Sequence, residues 1–128
     1  MSEARRILIV EDDPILRELM SEWLLAAGYL VCVAADGRAG LAEAQARPPA
    51  LVVTDIHMPG ISGAAVIAEV ARLRPAIPVI AISGHFRSGH GLTPDGAIAL
   101  GAARALAKPF KRSEMVGAVA DLVGPPVP

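Results

Sequence analysis

Four short apolar runs mark the chain: Ile7-Leu8-Ile9-Val10, Leu30 to Ala34, Leu51-Val52-Val53 and Val79-Ile80-Ala81-Ile82. Runs of this length, β-branched and with no polar alternation, predict strands covered on both faces, as in a parallel sheet. Ala103 to Ala107 gives a weaker fifth strand. Between the runs the apolar spacing turns helical. After Asp13-Pro14, a cap and a first-turn proline, Leu16, Leu19, Met20, Trp23, Leu24 and Ala27 recur on one side until Gly28, a stripe that predicts core packing. Gly37 to Ala46 follows Asp36 and stops at Pro48-Pro49; Ser62 precedes Val66, Ile67, Val70 and Leu73, closed by Pro75. Thr93-Pro94 opens a short helix through Leu100, and Met115, Val116, Val119, Leu122 and Val123 line a last one before Gly124-Pro125-Pro126.

Strict βα alternation implies a doubly wound α/β fold, because right-handed crossovers return the chain over the sheet each time. All strand C-termini then share one edge, where open sheets of this kind bind ligands. Along it fall Glu11, Asp12 and Asp13 after strand one, Asp55 after strand three, Ser83 after strand four and Lys108 after strand five. Asp13 serves as a cap and is left out of any metal set. Met58-Pro59 with Gly60 and Gly63 shapes a loop expected to expose Asp55.

At 128 residues there is room for a single domain, 1–128, with a core from about 5 to 124 and a frayed Pro-rich tail at 125–128; no output domain is expected. A formal charge of −1 and the lack of a basic run predict no nucleic-acid partner. The lone Cys32 reads as a buried strand thiol in a reducing compartment, and no segment has the length of a signal or membrane span, so a soluble, cytoplasmic protein with no membrane partner is expected.

The edge cluster constrains its own chemistry. Carboxylates about 4 Å apart repel by roughly 4 kcal/mol per pair at an effective dielectric near 20, so the site needs a cation or a proton, and Lys108 supplies only part of it. An all-oxygen donor set suits Mg²⁺, whereas neither Cys32 nor His57, His85 and His90 group as zinc sites do; solvated loop histidines are the expected reading. A carboxylate nucleophile with a divalent cation, a lysine and a hydroxyl points to phosphoryl transfer, with an aspartyl phosphate as product.

Glu11-Asp12-Asp13, Asp55-Ile-His-Met58-Pro59-Gly-Ile-Ser-Gly63, Ile82-Ser83-Gly84 and Lys108-Pro109-Phe110, in this order across essentially the whole chain, resemble the response-regulator receivers of two-component and phosphorelay signalling. The resemblance implies a CheY-like, flavodoxin-like (βα)5 sandwich with strand order 2-1-3-4-5. It implies Asp55 as phosphoacceptor; Mg²⁺, replaceable by Mn²⁺, held by Asp12, Asp55 and the His57 carbonyl, with Glu11 acting mainly through water. Ser83, Gly84 and Lys108 would contact the phosphoryl group, and the bond before Pro109 would be cis. The implied donor is a histidine kinase or histidine phosphotransfer protein, and the output is altered docking on another protein. The chain itself would be a monomer or a weak dimer through the face of helix four, strand five and helix five. Side chains two residues beyond the acceptor and the hydroxyl, here His57 and His85, are expected to tune phosphoryl lifetime.

Two features depart from the family. Receivers usually carry an aromatic three positions before the lysine, where this chain has Ala105, and the stretch from Ser83 to Lys108 is longer, richer in glycine and expected to be mobile. Phosphorylation is expected to order 85–92, with Phe86 packing where the aromatic is missing. An alternative is a receiver-like binding module that works without phosphorylation. An enzyme reading, a phosphohydrolase of the haloacid-dehalogenase kind, needs an acid where His57 stands.

Overall fold

The computed structural model describes residues 5–86 and 91–126. Strands and helices alternate as β1 (Arg6–Val10), α1 (Pro14–Ala26), β2 (Leu30–Ala34), α2 (Gly37–Ala46), β3 (Leu51–Asp55), α3 (Gly63–Leu73), β4 (Val79–Ser83), α4 (Pro94–Leu100), β5 (Arg104–Ala107) and α5 (Arg112–Val123). All pairings are parallel, in the order β2-β1-β3-β4-β5. This is the flavodoxin-like doubly wound sheet that the alternation predicts.

Because strand side chains alternate between faces, the sheet separates two cores. Ile7, Ile9, Leu51, Val53, Ile80 and Ile82 pack with Met20, Leu24, Tyr29, Met115 and Val119 on the side of α1 and α5. Leu8, Val10, Val52 and Ala81 pack with Val66, Ile67, Val70, Ala97 and Ala102 on the side of α3 and α4. Helix starts are fixed locally. Asp13, Asp36, Ser62 and Thr93 each accept a backbone N–H from the first turn of the helix that follows, a cap whose removal typically costs about 1 kcal/mol.

Four expectations change. β3 and β4 run on through Asp55 and Ser83, which the apolar pattern left outside, because the ladder continues with Asp55 opposite Ile82, and Ser83 opposite Ala107. Cys32 is half-buried, since β2 is an edge strand. The α1 stripe is split: Met20 and Leu24 are in the core, Leu16 and Trp23 are packed against it, and Leu19 is 39% exposed. Finally, Pro125 and Pro126 do not simply fray. Pro126 packs over Gly28, whose φ of +105° and lack of Cβ leave the room. The Tyr29 hydroxyl donates to the Gly124 carbonyl at 2.9 Å, and the Arg5 guanidinium donates to the Val123 carbonyl. Residues 127–128 lie outside the described part.

Candidate functional site

The turns after β1, β3, β4 and β5 meet at the C-terminal edge of the sheet. Lys108 leaves β5 and points its Nζ between two carboxylates, 3.1 Å from Asp55 Oδ2 and 3.0 Å from Glu11 Oε1. Its backbone N–H donates to the Ser83 carbonyl at 2.9 Å, which ties the lysine to the end of β4, and the Lys108–Pro109 peptide bond is cis. Glu11 is fully buried and Asp55 is 4% exposed, whereas Asp12 lies open to solvent. One oxygen from each of these three acids lies within 4.8 Å of the others.

Asp55 is therefore sunk at the base of the site and not held out by its loop, as the glycines suggested. Gly63 acts differently: a Cβ there would fall 1.9 Å from the Asp55 carbonyl oxygen, and its N–H donates to the Ile56 carbonyl at 2.9 Å. That close approach brings the start of α3 against the end of β3. The His57 N–H faces Asp55 Oδ1 at 3.4 Å, a long contact. Arg17, unremarked in the sequence, donates to the Glu11 carbonyl at 3.0 Å.

Burial and the nearby Asp55 charge push the Glu11 carboxyl up to about 7, against the lowering effect of the Asp13 N–H and of Lys108. Burial alone would lower the Lys108 ammonium, but Asp55 and Glu11 together outweigh it and hold it above its ordinary value. Glu11 Oε2 accepts the Asp13 N–H at 3.1 Å, while Oε1, though beside Nζ, lacks an aligned hydrogen bond among the described residues. A buried carboxylate oxygen left in this condition, within an all-oxygen acidic group, fits a hard divalent cation.

Ser83 is fully buried, and its Oγ accepts the His85 N–H at 3.0 Å. Gly84 has open space where a Cβ would be. The rings of His57 and His85, 28 positions apart in sequence, stand with centroids 4.1 Å apart and planes at 50°. Linear spacing could not have shown that pairing. His90 and Gly89 lie outside the described residues, as does the middle of the 85–92 segment, 87–90. Beside the site, Asp13, Ile15, Leu16, Leu19, Trp23, Lys108, Pro109 and Phe110 line an apolar groove in which Ile15 is 78% exposed. No helix among the described residues is long and apolar enough to cross a membrane.

A five-stranded parallel sheet with a lysine and buried acids gathered at its carboxyl edge defines a receiver-type α/β module, and the comparisons agree. Residues 7–120 match the family described as the response regulator receiver domain, and the chain belongs to that family of two-component systems. It is 34% identical over 116 residues, 91% of this chain and 25% of the relative, to the C4-dicarboxylate transport transcriptional regulatory protein DctD of Rhizobium meliloti (strain 1021). It is 36% identical over 115 residues, 88% of this chain and 25% of the relative, to the nitrogen assimilation regulatory protein NtrX of Azorhizobium caulinodans. The receiver domain of NtrX from Brucella abortus superposes with a TM-score of 0.84 at 33% identity, covering 91% of this chain and 97% of that one. The chain thus spans about a quarter of the length of these curated relatives. DctD is named a transcriptional regulator, so the lack of a nucleic-acid partner read from charge cannot be extended beyond these 128 residues.

Proposed function

We propose that Asp55 accepts a phosphoryl group from the phosphohistidine of a histidine kinase or histidine phosphotransfer protein, and that the modified domain alters its docking on a further protein. The observation that carries this reading is the Lys108 ammonium held 3.1 Å from Asp55 and 3.0 Å from Glu11 beside a third acid, Asp12. An Asp55 carboxylate oxygen attacks phosphorus, the P–N bond to the donor imidazole breaks, and the electron pair leaves with that nitrogen. Lys108, already aimed at the reacting carboxylate, then neutralises a phosphoryl oxygen. Ser83 and the Gly84 backbone border the same place and are assigned to the remaining oxygens. The half-closed site, with Asp55 and Glu11 buried, strengthens each of these contacts by excluding water.

Asp12, Asp55 and the His57 carbonyl are the proposed direct ligands of Mg²⁺ or Mn²⁺, with Glu11 as a water-mediated one; the ion supplies charge neutralisation for the phosphoryl group. His57 and His85, ring against ring, are the groups proposed to set how water reaches the acyl phosphate. The face of α4, β5 and α5, where Ile98 and Leu100 are exposed and Arg104 bridges to Asp121 at 3.0 Å, is the proposed docking or weak dimer surface. Incubation with Mg²⁺ and acetyl phosphate, read by intact mass, tests the reading: a labile adduct of one phosphoryl group on the wild type and none on Asp55→Asn is expected. A wild type that never gains the adduct, or an Asp55→Asn variant that gains it equally, refutes it.

A further inference from the structure

The sheet ends in two edges of different character. β5 has four residues, one of them Arg104, whose guanidinium bridges to Asp121 at 3.0 Å. β2, at the opposite edge, is Leu30-Val31-Cys32-Val33-Ala34, five apolar residues in a row, and among the described residues no strand pairs on its far side. Edge strands are ordinarily guarded against further pairing by a charge, a proline, a bulge or a covering element. β2 carries neither charge nor proline, and its register with β1 is unbroken over all five residues. Leu30 and Val33 are 51% and 50% exposed. The backbone of this strand is only half used. The Leu30 N–H donates to the Arg5 carbonyl at 2.9 Å, and the Ala34 carbonyl accepts the Glu11 N–H at 3.1 Å, so in a parallel ladder Leu30, Cys32 and Ala34 turn their polar groups toward β1. The N–H and C=O groups of Val31 and Val33 then point out of the sheet.

We propose that this edge pairs with β2 of a second copy of the chain, antiparallel and about a twofold axis at Cys32. The backbone selects that register. A copy centred on Cys32 sets Val31 opposite the partner's Val33 and uses every outward group of both strands, whereas centring on either valine uses half of them. The side chains fit the same register. Exposed Val33 meets the partner's Val31, which lies against its own core, and exposed Leu30 meets the partner's Ala34, a small residue only 6% exposed. Each protruding side chain thus faces a recessed one, which is what a self-complementary patch requires of a twofold interface. A charge of −1 on the whole chain sets up no long-range repulsion between copies, and the rim beside Val33 carries both signs, Arg17 with Glu18 and Glu22. Cys32 faces its counterpart across the axis at a non-hydrogen-bonded position, where Cα atoms stand about 4.5 Å apart. The pairing uses neither the acidic site nor the face of α4, β5 and α5, and it stands independently of the phosphoacceptor reading.

The test follows the 128-residue chain over a range of concentrations by sedimentation equilibrium and by residue-resolved amide exchange. The apparent mass is expected to rise from one chain toward two as concentration increases. Exchange at Val31 and Val33 is expected to slow by about fivefold or more at the high end, while Leu30 and Cys32, already bonded to β1, do not change. Val33→Lys and Leu30→Lys each replace a half-exposed side chain, so the fold is kept, and each is expected to weaken association by about tenfold or more by setting a charge against an apolar neighbour. Ile98→Lys, on α4, is expected to leave association unchanged. The thiol oxidant diamide reads the register: the wild type is expected to link through Cys32 into a dimer that dithiothreitol reverses, since about 4.5 Å lies within the Cα range of disulfides. Cys32→Ser/Leu30→Cys, which moves the thiol off the axis, is expected not to link. A chain that stays single at every concentration, an association lost in Ile98→Lys but kept in Val33→Lys, or linkage of the Cys32→Ser/Leu30→Cys chain as ready as that of the wild type overturns the pairing.

Discussion

Replacing Lys108 by methionine keeps most of the stem and removes the charge that two buried carboxylates share. In the native protein the ammonium sits 3.1 Å from Asp55 and 3.0 Å from Glu11, whose side chains are 6% and 1% exposed. Breaking a buried ion pair by deleting one partner costs about 3 to 5 kcal/mol, because the other charge is left uncompensated. Here the lysine is 23% exposed and Glu11 can take up a proton, so the lower end, about 3 kcal/mol, is expected for the metal-free protein at pH 8. The loss should depend on pH. Glu11 already has its carboxyl pushed up to about 7 by burial, and removal of Lys108 withdraws a lowering influence and raises it further. A carboxyl raised in the folded state binds more protons folded than unfolded. Its contribution to stability is full below the ordinary value of 4.5 and is lost as pH rises through about 7. The deficit of Lys108→Met relative to wild type is therefore expected to shrink by at least half between pH 8 and pH 5, and to shrink at pH 8 when Mg²⁺ is added. Urea unfolding followed by the fluorescence of the single tryptophan, Trp23, measures it at both pH values, with and without MgCl₂. A deficit equal at pH 5 and pH 8 and indifferent to Mg²⁺ would show that the acids do not depend on this ammonium, and the electrostatic account of the site would fail.

Three further outcomes are expected. Gly63→Ala, whose Cβ would lie 1.9 Å from the Asp55 carbonyl oxygen, should force β3 and α3 apart, costing about 2 kcal/mol or more and slowing adduct formation at Asp55; an unchanged melting temperature counts against the close approach. His57→Ala and His85→Ala should each change the decay rate of the Asp55 adduct, since the two rings stand 4.1 Å apart at the site, and identical decay curves refute their assigned role. Ile15→Asp, placing a charge in the apolar groove that Lys108 also lines, should slow transfer from a phosphohistidine protein about tenfold while leaving acetyl phosphate labelling unchanged; equal slowing with both donors would remove the groove from donor docking.

The alternation of apolar runs with helical spacing was sufficient to define the sheet, its parallel sense and the edge where the acids fall, since burial on both faces leaves a direct mark on β1, β3 and β4. Asp13 as a cap, and Asp36, Ser62 and Thr93 as the residues where the next helices begin, were equally legible, because each start is fixed by a contact between residues two or three apart. The strand order came with the family motifs, since the alternation alone does not rank the strands. What the linear pattern could not hold were relations across the fold. That Asp55 is sunk and not displayed, that Leu19 faces a groove, that Cys32 lies on an edge and that His57 meets His85 all depend on which surfaces the sheet brings face to face. Local chemistry is written in neighbouring residues, whereas burial and pairing at a distance are properties of the packed whole.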